Sequence, residues 1–343
     1  MMRLPLSWLL AFTTAALALL LLGSLATGPM TLTLGESLRA LFAGQESGIE
    51  SHKLLIVQEI RLPRTLLCIA VGGILGLCGA VMQGLFRNPL ADPGIIGVSG
   101  GAALGAALAI VLLAPLGQQL QATIGVGLLP LLAFLGGALT TTLVYLLGTR
   151  EGGTSVTVML LAGVAITALS GAVIGLLTYL ADDQMLRNLS LWQMGTLAAG
   201  KPADVALALL TLAALLWLFM RDANPLNALL LGEGEARHLG INVQSLKRRL
   251  ILLTAAGVGV AVAVSGMIGF VGLVVPHQVR LLAGPNHVRL LPLSALLGAA
   301  LLLAADMLAR TLLAPAELPV GIITALLGAP FFIWLLVKGR RAL

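Results

Sequence analysis

The most informative segment of the chain reads Arg61-Leu-Pro63-Arg64, continues as an apolar run, and closes with Arg87-Asn88-Pro89-Leu90-Ala91-Asp92-Pro93-Gly94. The apolar run is as long as a helix that crosses a bilayer, which needs about 20 residues. Asp92 has the side chain of a helix N-cap, and Pro93 suits the first position of a helix. The segment therefore predicts a membrane-spanning helix with arginines at one end. At the other end it predicts a tight turn that starts a new helix.

The composition is that of a membrane protein. Of the 343 residues, 59% are hydrophobic and 10% are charged, whereas a soluble protein has about 25% charged residues. This excludes a soluble enzyme and a nucleic-acid-binding protein, and Lys and Arg in short cytoplasmic loops explain the net charge of +6. Between Pro93 and Thr149 no Asp, Glu, Lys, Arg or His occurs. One helix of that length would be about 85 Å long against a hydrocarbon core of about 30 Å. It must break, and residues 115–121 are its only polar part.

The pattern predicts an all-α polytopic membrane protein that forms a single domain, residues 1–343. The predicted transmembrane helices are 4–27, 60–83, 94–114, 123–147, 155–180, 203–220, 248–266, 269–283, 290–309 and 318–337. These ten spans place both termini on the same side of the membrane. The positive-inside rule makes that side cytoplasmic, because most of the Lys and Arg residues then lie inside. Residues 28–59 and 181–202 become periplasmic segments, and residues 221–249 become the longest cytoplasmic loop.

Three arginines lie at outer helix ends: Arg61, Arg64 and Arg310. Arginines at helix ends often extend toward the interface and anchor the helix in the membrane. The planar guanidinium group also binds carboxylates with two parallel hydrogen bonds, which would suit a cationic pocket for a partner protein. The residues alone leave both interpretations open.

The cytoplasmic loop contains Gly232-Glu233-Gly-Glu-Ala236-Arg237-His-Leu239-Gly240. This pattern predicts a short helix that a glycine closes at its C-terminus. Such a helix either connects two spans or binds a partner at the membrane surface. The chain has no Gly-x-x-x-x-Gly-Lys-Ser/Thr phosphate loop, so an energy source must lie on another chain or in an ion gradient.

Asp306 is an acid inside a predicted span, a position that is costly and often functional. A proton-coupling role is one interpretation. An internal bond to a neighbouring helix end, or to Arg310 four residues later, is the other. His277 has no second ligand at metal-binding spacing, and no metal site is expected.

The second half of the chain carries a specific set of motifs: Gly266-Met-Ile-Gly-Phe270-Val-Gly272-Leu-Val-Val-Pro276-His277, Ala304-Ala-Asp306, Ala309-Arg310 and Ala316-Glu317-Leu-Pro319-Val-Gly321. With the first segment, they resemble the permease subunits of binding-protein-dependent ABC importers for iron compounds and cobalamin. The resemblance implies ten spans per subunit in the inner membrane and a homodimer with the pathway at its axis. It also implies two ATPase subunits, which hold ATP and Mg, and one periplasmic substrate-binding protein. No cofactor on this chain and no nucleic-acid partner are expected.

The same resemblance assigns roles to residues. Arg61, Arg64 and Arg310 would receive acidic residues of the binding protein. A helix that couples the permease to the ATPase would include Gly232, Glu233, Ala236, Arg237, Leu239 and Gly240. Gates at the inner exit would be formed by Asn88 and Leu90, and by Thr154 and Ser155.

The segment Asp182-Asp183-Gln-Met-Leu-Arg187-Asn-Leu-Ser-Leu-Trp192-Gln-Met-Gly195 is similar to that of haem permeases. Arg187 would then pair with a haem propionate near the outer cavity. We therefore expect haem as the ligand, with a ferric siderophore or cobalamin as the alternative. A secondary transporter driven by protons through Asp306 is a more distant alternative.

Overall fold

The structure is a computed structural model that describes residues 5–42, 50–114, 127–150, 153–198 and 200–340. In chain order its helices are α1 (Leu6–Ala26), α2 (Leu34–Phe42), α3 (Ser51–Leu85), α4 (Val98–Val111), α5 (Leu128–Gly148), α6 (Val156–Leu180), α7 (Asp183–Gln193), α8 (Pro202–Arg221), α9 (Ala223–Leu231), α10 (Glu233–His238), α11 (Val243–Ser265), α12 (Val271–Ala283), α13 (His287–Thr311) and α14 (Val320–Arg340). A short hairpin pairs β1 (Thr149–Arg150) with β2 (Gly153–Thr154) in antiparallel register.

A helix lies on each predicted span, with ends shifted by a few residues. Seven helices in the described residues are long and apolar enough to cross a membrane, namely α1, α3, α5, α6, α8, α11 and α13. Val98–Val111, Val271–Ala283 and Val320–Leu335 are shorter apolar helices. The all-α, multi-pass class predicted from composition is confirmed.

The predicted helix breaks have different outcomes. The chain leaves α11 at Ser265 and enters α12 at Val271, so the interruption between the predicted spans 248–266 and 269–283 is present. The break expected at residues 115–121 lies outside the described residues. The turn before α4 forms as predicted, since the Asp92 carboxylate accepts a hydrogen bond from the Gly94 amide at 2.7 Å.

α3 is the central helix and packs against α8, α11, α12 and α13. Glycines make this close approach possible. A Cβ at Gly76 would lie 2.3 Å from the Ser294 carbonyl of α13, and one at Gly79 would lie 1.9 Å from the Gly272 carbonyl of α12. Small residues at such crossings let helix backbones pack in lipid, where no hydrophobic force drives helices together.

Polar contacts concentrate at the two ends of the bundle. We call the end that carries Arg61, Arg64 and Arg310 the arginine end; it contains the C-termini of α1 and α13 and the N-terminus of α14. We call the opposite end, where the β1–β2 hairpin and α10 lie, the hairpin end. The two ends together contain all the residues to which the sequence analysis assigned roles.

Candidate functional site

Arg64 is the centre of a buried ionic cluster at the arginine end. Its side chain is 6% exposed, and its Nη2 lies 2.9 Å from Asp306 Oδ1. Its Nε donates to the same carboxylate, at 3.0 Å and 3.2 Å from the two oxygens. Its Nη1 donates to Glu317 Oε2 at 2.7 Å. Both edges of this guanidinium group are therefore occupied by acceptors of the same chain.

Arg310 completes the ionic cluster from the other side of Asp306. Its Nε lies 3.0 Å from Asp306 Oδ2. Its Nη2 donates to Ser24 Oγ at 2.7 Å, and its Nη1 donates to the Thr27 carbonyl at 3.2 Å. Arg310 thus joins α13 to the C-terminal turn of α1.

Arg61 binds backbone rather than a carboxylate. Its Nη1 donates to the carbonyls of Leu25 at 2.7 Å and Ala26 at 2.9 Å, and its Nη2 donates to the Met30 carbonyl. The last carbonyls of a helix have no partner within the helix and carry partial negative charge. Arg61 therefore provides hydrogen-bond donors for the free carbonyl groups at the C-terminus of α1.

The structure brings the three predicted docking arginines together, but it buries them. Counted over the whole residue, the exposed fractions are 3% for Arg61, 5% for Arg64 and 2% for Arg310. Asp306 is fully buried and pairs with Arg310 at i+4, as one interpretation of the sequence expected. Its second partner, Arg64, and the carboxylate of Glu317 were not foreseen. Nothing in the local sequence indicates that Arg64 and Asp306 meet, because 242 positions separate them.

A second polar network lies at the hairpin end. Lys247 Nζ lies 2.5 Å from Glu233 Oε1 of α10 and donates to the Thr154 carbonyl of β2 at 3.1 Å. Gln244 Oε1 accepts a hydrogen bond from the Thr154 amide at 3.1 Å. Lys247 is only 2% exposed. From the sequence it belongs to the basic run Lys247-Arg248-Arg249 at a helix start, which gives no sign of this burial.

The short helix predicted within residues 221–249 is present as α10. Gly232 precedes it with φ +133°, and Gly240 follows it with φ +80°, a conformation that favours glycine. Ala236 is fully buried against the bundle, whereas Leu239 is 64% exposed. Arg237 also points outward and lies 3.8 Å from Glu233. Arg237 of α10 and Leu239, which directly follows the helix, thus present a basic and an apolar side chain on the surface.

The two predicted gate segments are ordered by local bonds. Asn88 Oδ1 accepts from the Leu90 amide at 2.9 Å, and Leu90 borders a small cavity with His277 and Phe331. In the second segment Thr154 is 7% exposed, while the exposed Ser155 caps the start of α6. Burial raises the pKa of Asp92 at the first turn, an effect that the hydrogen bond from Gly94 partly offsets.

Arg187 is exposed on α7, a helix that Asp182 caps by accepting from the Met185 amide at 2.8 Å. Among the described residues no ion pair engages its guanidinium group. Within the same described residues no group of three or more His, Cys, Asp or Glu could hold a metal ion. The ring of His277 packs against Phe331, with centroids 6.1 Å apart.

By its fold the protein is a multi-pass helical membrane protein of the transporter class. It belongs to the FecCD transport family, whose sequence profile matches residues 16–338. The resemblance drawn from its motifs, to permease subunits of ABC importers for iron compounds and cobalamin, is confirmed.

Two relatives span most of the chain. The hemin transport system permease protein HmuU of Yersinia pestis is 46% identical over 336 residues, which cover 97% of this chain and 96% of that protein. The cobalamin import system permease protein BtuC of Halobacterium salinarum is 43% identical over 297 residues, covering 87% of this chain and 77% of that protein. A permease named for hemin and a permease named for cobalamin therefore have similar sequence identity to this chain.

A solved structure shares the architecture. It is described as an inward-facing conformation of a metal-chelate type ABC transporter, is 33% identical, and superposes with a TM-score of 0.82 over 97% of this chain and 99% of that one. PsaBC from Streptococcus pneumoniae in complex with Fab matches with a TM-score of 0.57 at 19% identity over 81% of this chain and 91% of that one, which shows the fold alone.

Proposed function

We propose that the chain is the permease subunit of a binding-protein-dependent ABC importer that moves haem across the inner membrane. The observation that carries the proposal is the 46% identity to a hemin permease along nearly the full length of both chains. The ABC-importer class rests on family membership. The choice of haem rests on this relative and on Arg187, and cobalamin or a ferric siderophore is the second candidate because cobalamin permeases are 43% identical.

The proposal includes ten crossings with both termini in the cytoplasm. Arg61 holds the C-terminus of α1 at the arginine end by its hydrogen bond to the Leu25 carbonyl. The Leu318 amide donates a hydrogen bond to the Ala309 carbonyl, so α14 also starts at this end. Both helices therefore have their other ends at the hairpin end. Arg221, Arg237, Arg248 and Arg289 also lie there, which makes it the cytoplasmic side by the positive-inside rule.

We place a homodimer contact and the translocation pathway on α6. Most of its exposed side chains are apolar, for example Leu161, Val164, Leu169 and Leu176. Gly171 and Gly175 are exposed, and a Cβ at either would meet nothing within 4 Å in this chain. Two small residues four apart on an open face suit close approach of a helix from a second copy.

The partner ATPase subunits, which bind ATP and Mg, would contact α10. The exposed Leu239 fits an apolar groove, and the buried Ala236 fixes the helix to the bundle. We assign this coupling role to Gly232, Glu233, Ala236, Arg237, Leu239 and Gly240. The inner gates would be Asn88 with Leu90 and Thr154 with Ser155, which alternate between closed and open as the ATPase subunits close and part.

The periplasmic binding protein would dock at the arginine end. In this structure the guanidinium groups of Arg61, Arg64 and Arg310 donate their hydrogen bonds to acceptors of the same chain. A partner carboxylate therefore reaches Arg64 only by replacing Glu317. The Glu317 side chain is 35% exposed, and it is therefore the accessible member of the cluster. Arg187, exposed at the same end, is proposed to pair with a haem propionate as the ligand enters.

A proton-coupled transporter is less consistent with the contacts of Asp306. Both carboxylate oxygens are engaged by arginines, and the residue is fully buried. A proton carrier must exchange its proton with water during each cycle. The geometry suits an ionic cluster that holds helices together.

The test is ATP-driven uptake in proteoliposomes that contain this chain, its ATPase and its binding protein, with haem, cobalamin and a ferric siderophore offered separately. We expect haem uptake that requires ATP and that Arg187→Gln reduces, while Arg87→Gln, an exposed arginine at the hairpin end, serves as the matched control. Uptake of cobalamin or siderophore alone would reject haem. Uptake that follows a proton gradient without ATP would reject the importer.

A further inference from the structure

Lys247 is an unusual residue because it is a lysine that is almost fully buried. A buried ammonium group is unfavourable unless ion pairs and hydrogen bonds replace its water. Lys247 has two such partners on different segments, the Glu233 carboxylate at 2.5 Å and the Thr154 carbonyl at 3.1 Å. An apolar side chain of the same length would fill the space without this requirement.

Lys247 and its two partners belong to three different elements. Glu233 is the first residue of α10, Thr154 ends β2, and Lys247 lies in the first turns of α11. Gln244, three residues before Lys247 and on the same helix face, accepts from the Thr154 amide. The amide and the carbonyl of Thr154 are therefore both held by one face of α11.

The hairpin is shaped to fit this face. Gly153 has φ +113°, and a Cβ there would lie 2.3 Å from Gln244 Nε2. The positive φ favours glycine, and a Cβ at this position would displace the Gln244 side chain. Ser155, next in the chain, accepts from the Val158 amide at 3.4 Å and so begins α6. A shift of Thr154 is consequently passed to the first turn of α6.

We propose that Lys247 is a positioning residue that transmits displacement of α10 to the β1–β2 hairpin and the start of α6. We call the contacts Glu233–Lys247–Thr154 the Lys247 bridge. The inference rests on the proposed function, in which α10 contacts the ATPase and Thr154 belongs to a gate. Lys247 touches no transported ligand in this account; it acts through Glu233 and Thr154.

Three variants separate transmission from simple stabilisation. Lys247→Met keeps the length of the side chain and removes both bonds of the Lys247 bridge. Arg248→Met removes a neighbouring exposed charge from the same helix and is the matched control. The exchange Glu233→Lys with Lys247→Glu restores the ion pair, but a glutamate cannot donate to the Thr154 carbonyl. A role limited to the ion pair would be rescued by the exchange, whereas transmission would not.

The experiment uses the complete transporter in proteoliposomes and measures ligand transported per ATP hydrolysed. A second readout is the rate of maleimide labelling at Thr157→Cys, an exposed position in the first turn of α6, with and without ATP. The native cysteines, Cys68 and Cys78, are fully buried and give a low background. For Lys247→Met and for the exchange we expect transport per ATP to fall about tenfold and the ATP-dependent change in labelling to disappear. Arg248→Met should leave both unchanged.

The outcomes distinguish the two levels of the proposal. Absence of ATP-dependent transport in the unaltered complex would reject the proposed function. Normal transport by the unaltered complex, together with normal coupling and labelling in Lys247→Met, would reject the Lys247 bridge alone. If Lys247→Met does not assemble, Glu233→Gln, whose parent side chain is 35% exposed, takes its place. We expect it to lower transport per ATP by a smaller factor, and unchanged coupling would again reject the bridge.

Discussion

Arg64 Nη2 lies 2.9 Å from Asp306 Oδ1, although the two residues are 242 positions apart. The contact joins the N-terminal half of α3 to the C-terminal part of α13. Because Arg310 engages the other oxygen of the same carboxylate, one acid holds two arginines at the arginine end. Further along, the same helices meet through Gly76 and Ser294. The Arg64–Asp306 ion pair thus holds α3 and α13 together at the arginine end, and close packing of small residues holds them together at the middle of the bundle.

The first prediction concerns this buried pair. Asp306→Ala should lower the free energy of unfolding by about 3–5 kcal/mol, because it leaves two buried guanidinium groups without their carboxylate. Replacing both partners, Arg64→Met with Asp306→Leu, should lower it by less than the sum of the single variants. Thermal unfolding in detergent measures the cycle, with exposed Arg187→Met as control. Additive single effects would contradict the coupling.

The second prediction concerns docking of the binding protein. Glu317→Gln should strengthen docking, because it removes the internal carboxylate that competes for Arg64. The expected gain in affinity is about two- to fivefold, since a partly exposed ion pair contributes up to about 1 kcal/mol. Surface plasmon resonance with the purified binding protein measures it. Glu59→Gln removes another exposed acid near the same end and should change affinity less; equal effects would indicate net charge rather than competition.

The third prediction concerns the proposed dimer contact on α6. Gly171→Ile and Gly175→Ile should weaken self-association by at least about tenfold, because a branched side chain separates the helix backbones. Neither should perturb the fold of one chain, since no atom lies within 4 Å of the added Cβ. Light scattering across a detergent dilution series measures the dimer. Gly35→Ile, equally free of neighbours on α2, is the control, and unchanged association in the α6 variants would remove α6 from the interface.

The fourth prediction is a pH dependence at Asp92. Burial raises the pKa of this acid above its ordinary value of 3.8, so the folded protein retains the proton to higher pH than the unfolded chain does. Its contribution to stability is greatest below pH 3.8 and is lost as the pH rises through the folded pKa. Asp92→Asn keeps an oxygen that accepts from the Gly94 amide and should remove this dependence. It should be at least as stable as the parent at pH 7.

A matched variant separates the cap from the charge. Asp92→Ala loses the N-cap and should be less stable than Asp92→Asn by about 1 kcal/mol at all pH values, because neither side chain titrates. Thermal unfolding between pH 4 and pH 8 distinguishes the two variants. If Asp92→Asn were destabilised as much as Asp92→Ala, the carboxylate charge itself would be required.

Much of the local structure was accessible from sequence. The Asp92-Pro93 start, the break after Ser265 and the α10 helix before Gly240 each depend on a cap, a glycine or a length limit, which act over a few residues. The burial of the three arginines could not be predicted from the sequence. The same local sequence is compatible with an open cationic pocket and with an ionic cluster whose charges are paired within the chain. Only the position of α13 beside α3 decides between the two.

The sequence by itself determined that this is a multi-pass helical membrane protein of the FecCD transport family, because hydropathy, helix caps and family motifs are properties of short segments. The tertiary structure alone decided which charges meet, Arg64 with Asp306 and Glu317, and Lys247 with Glu233 and Thr154. The physical reason is that helices which are apolar on all faces give no periodic signal of which face turns inward. Their neighbours are set by close packing of small residues, and that packing then determines where each buried charge finds its partner.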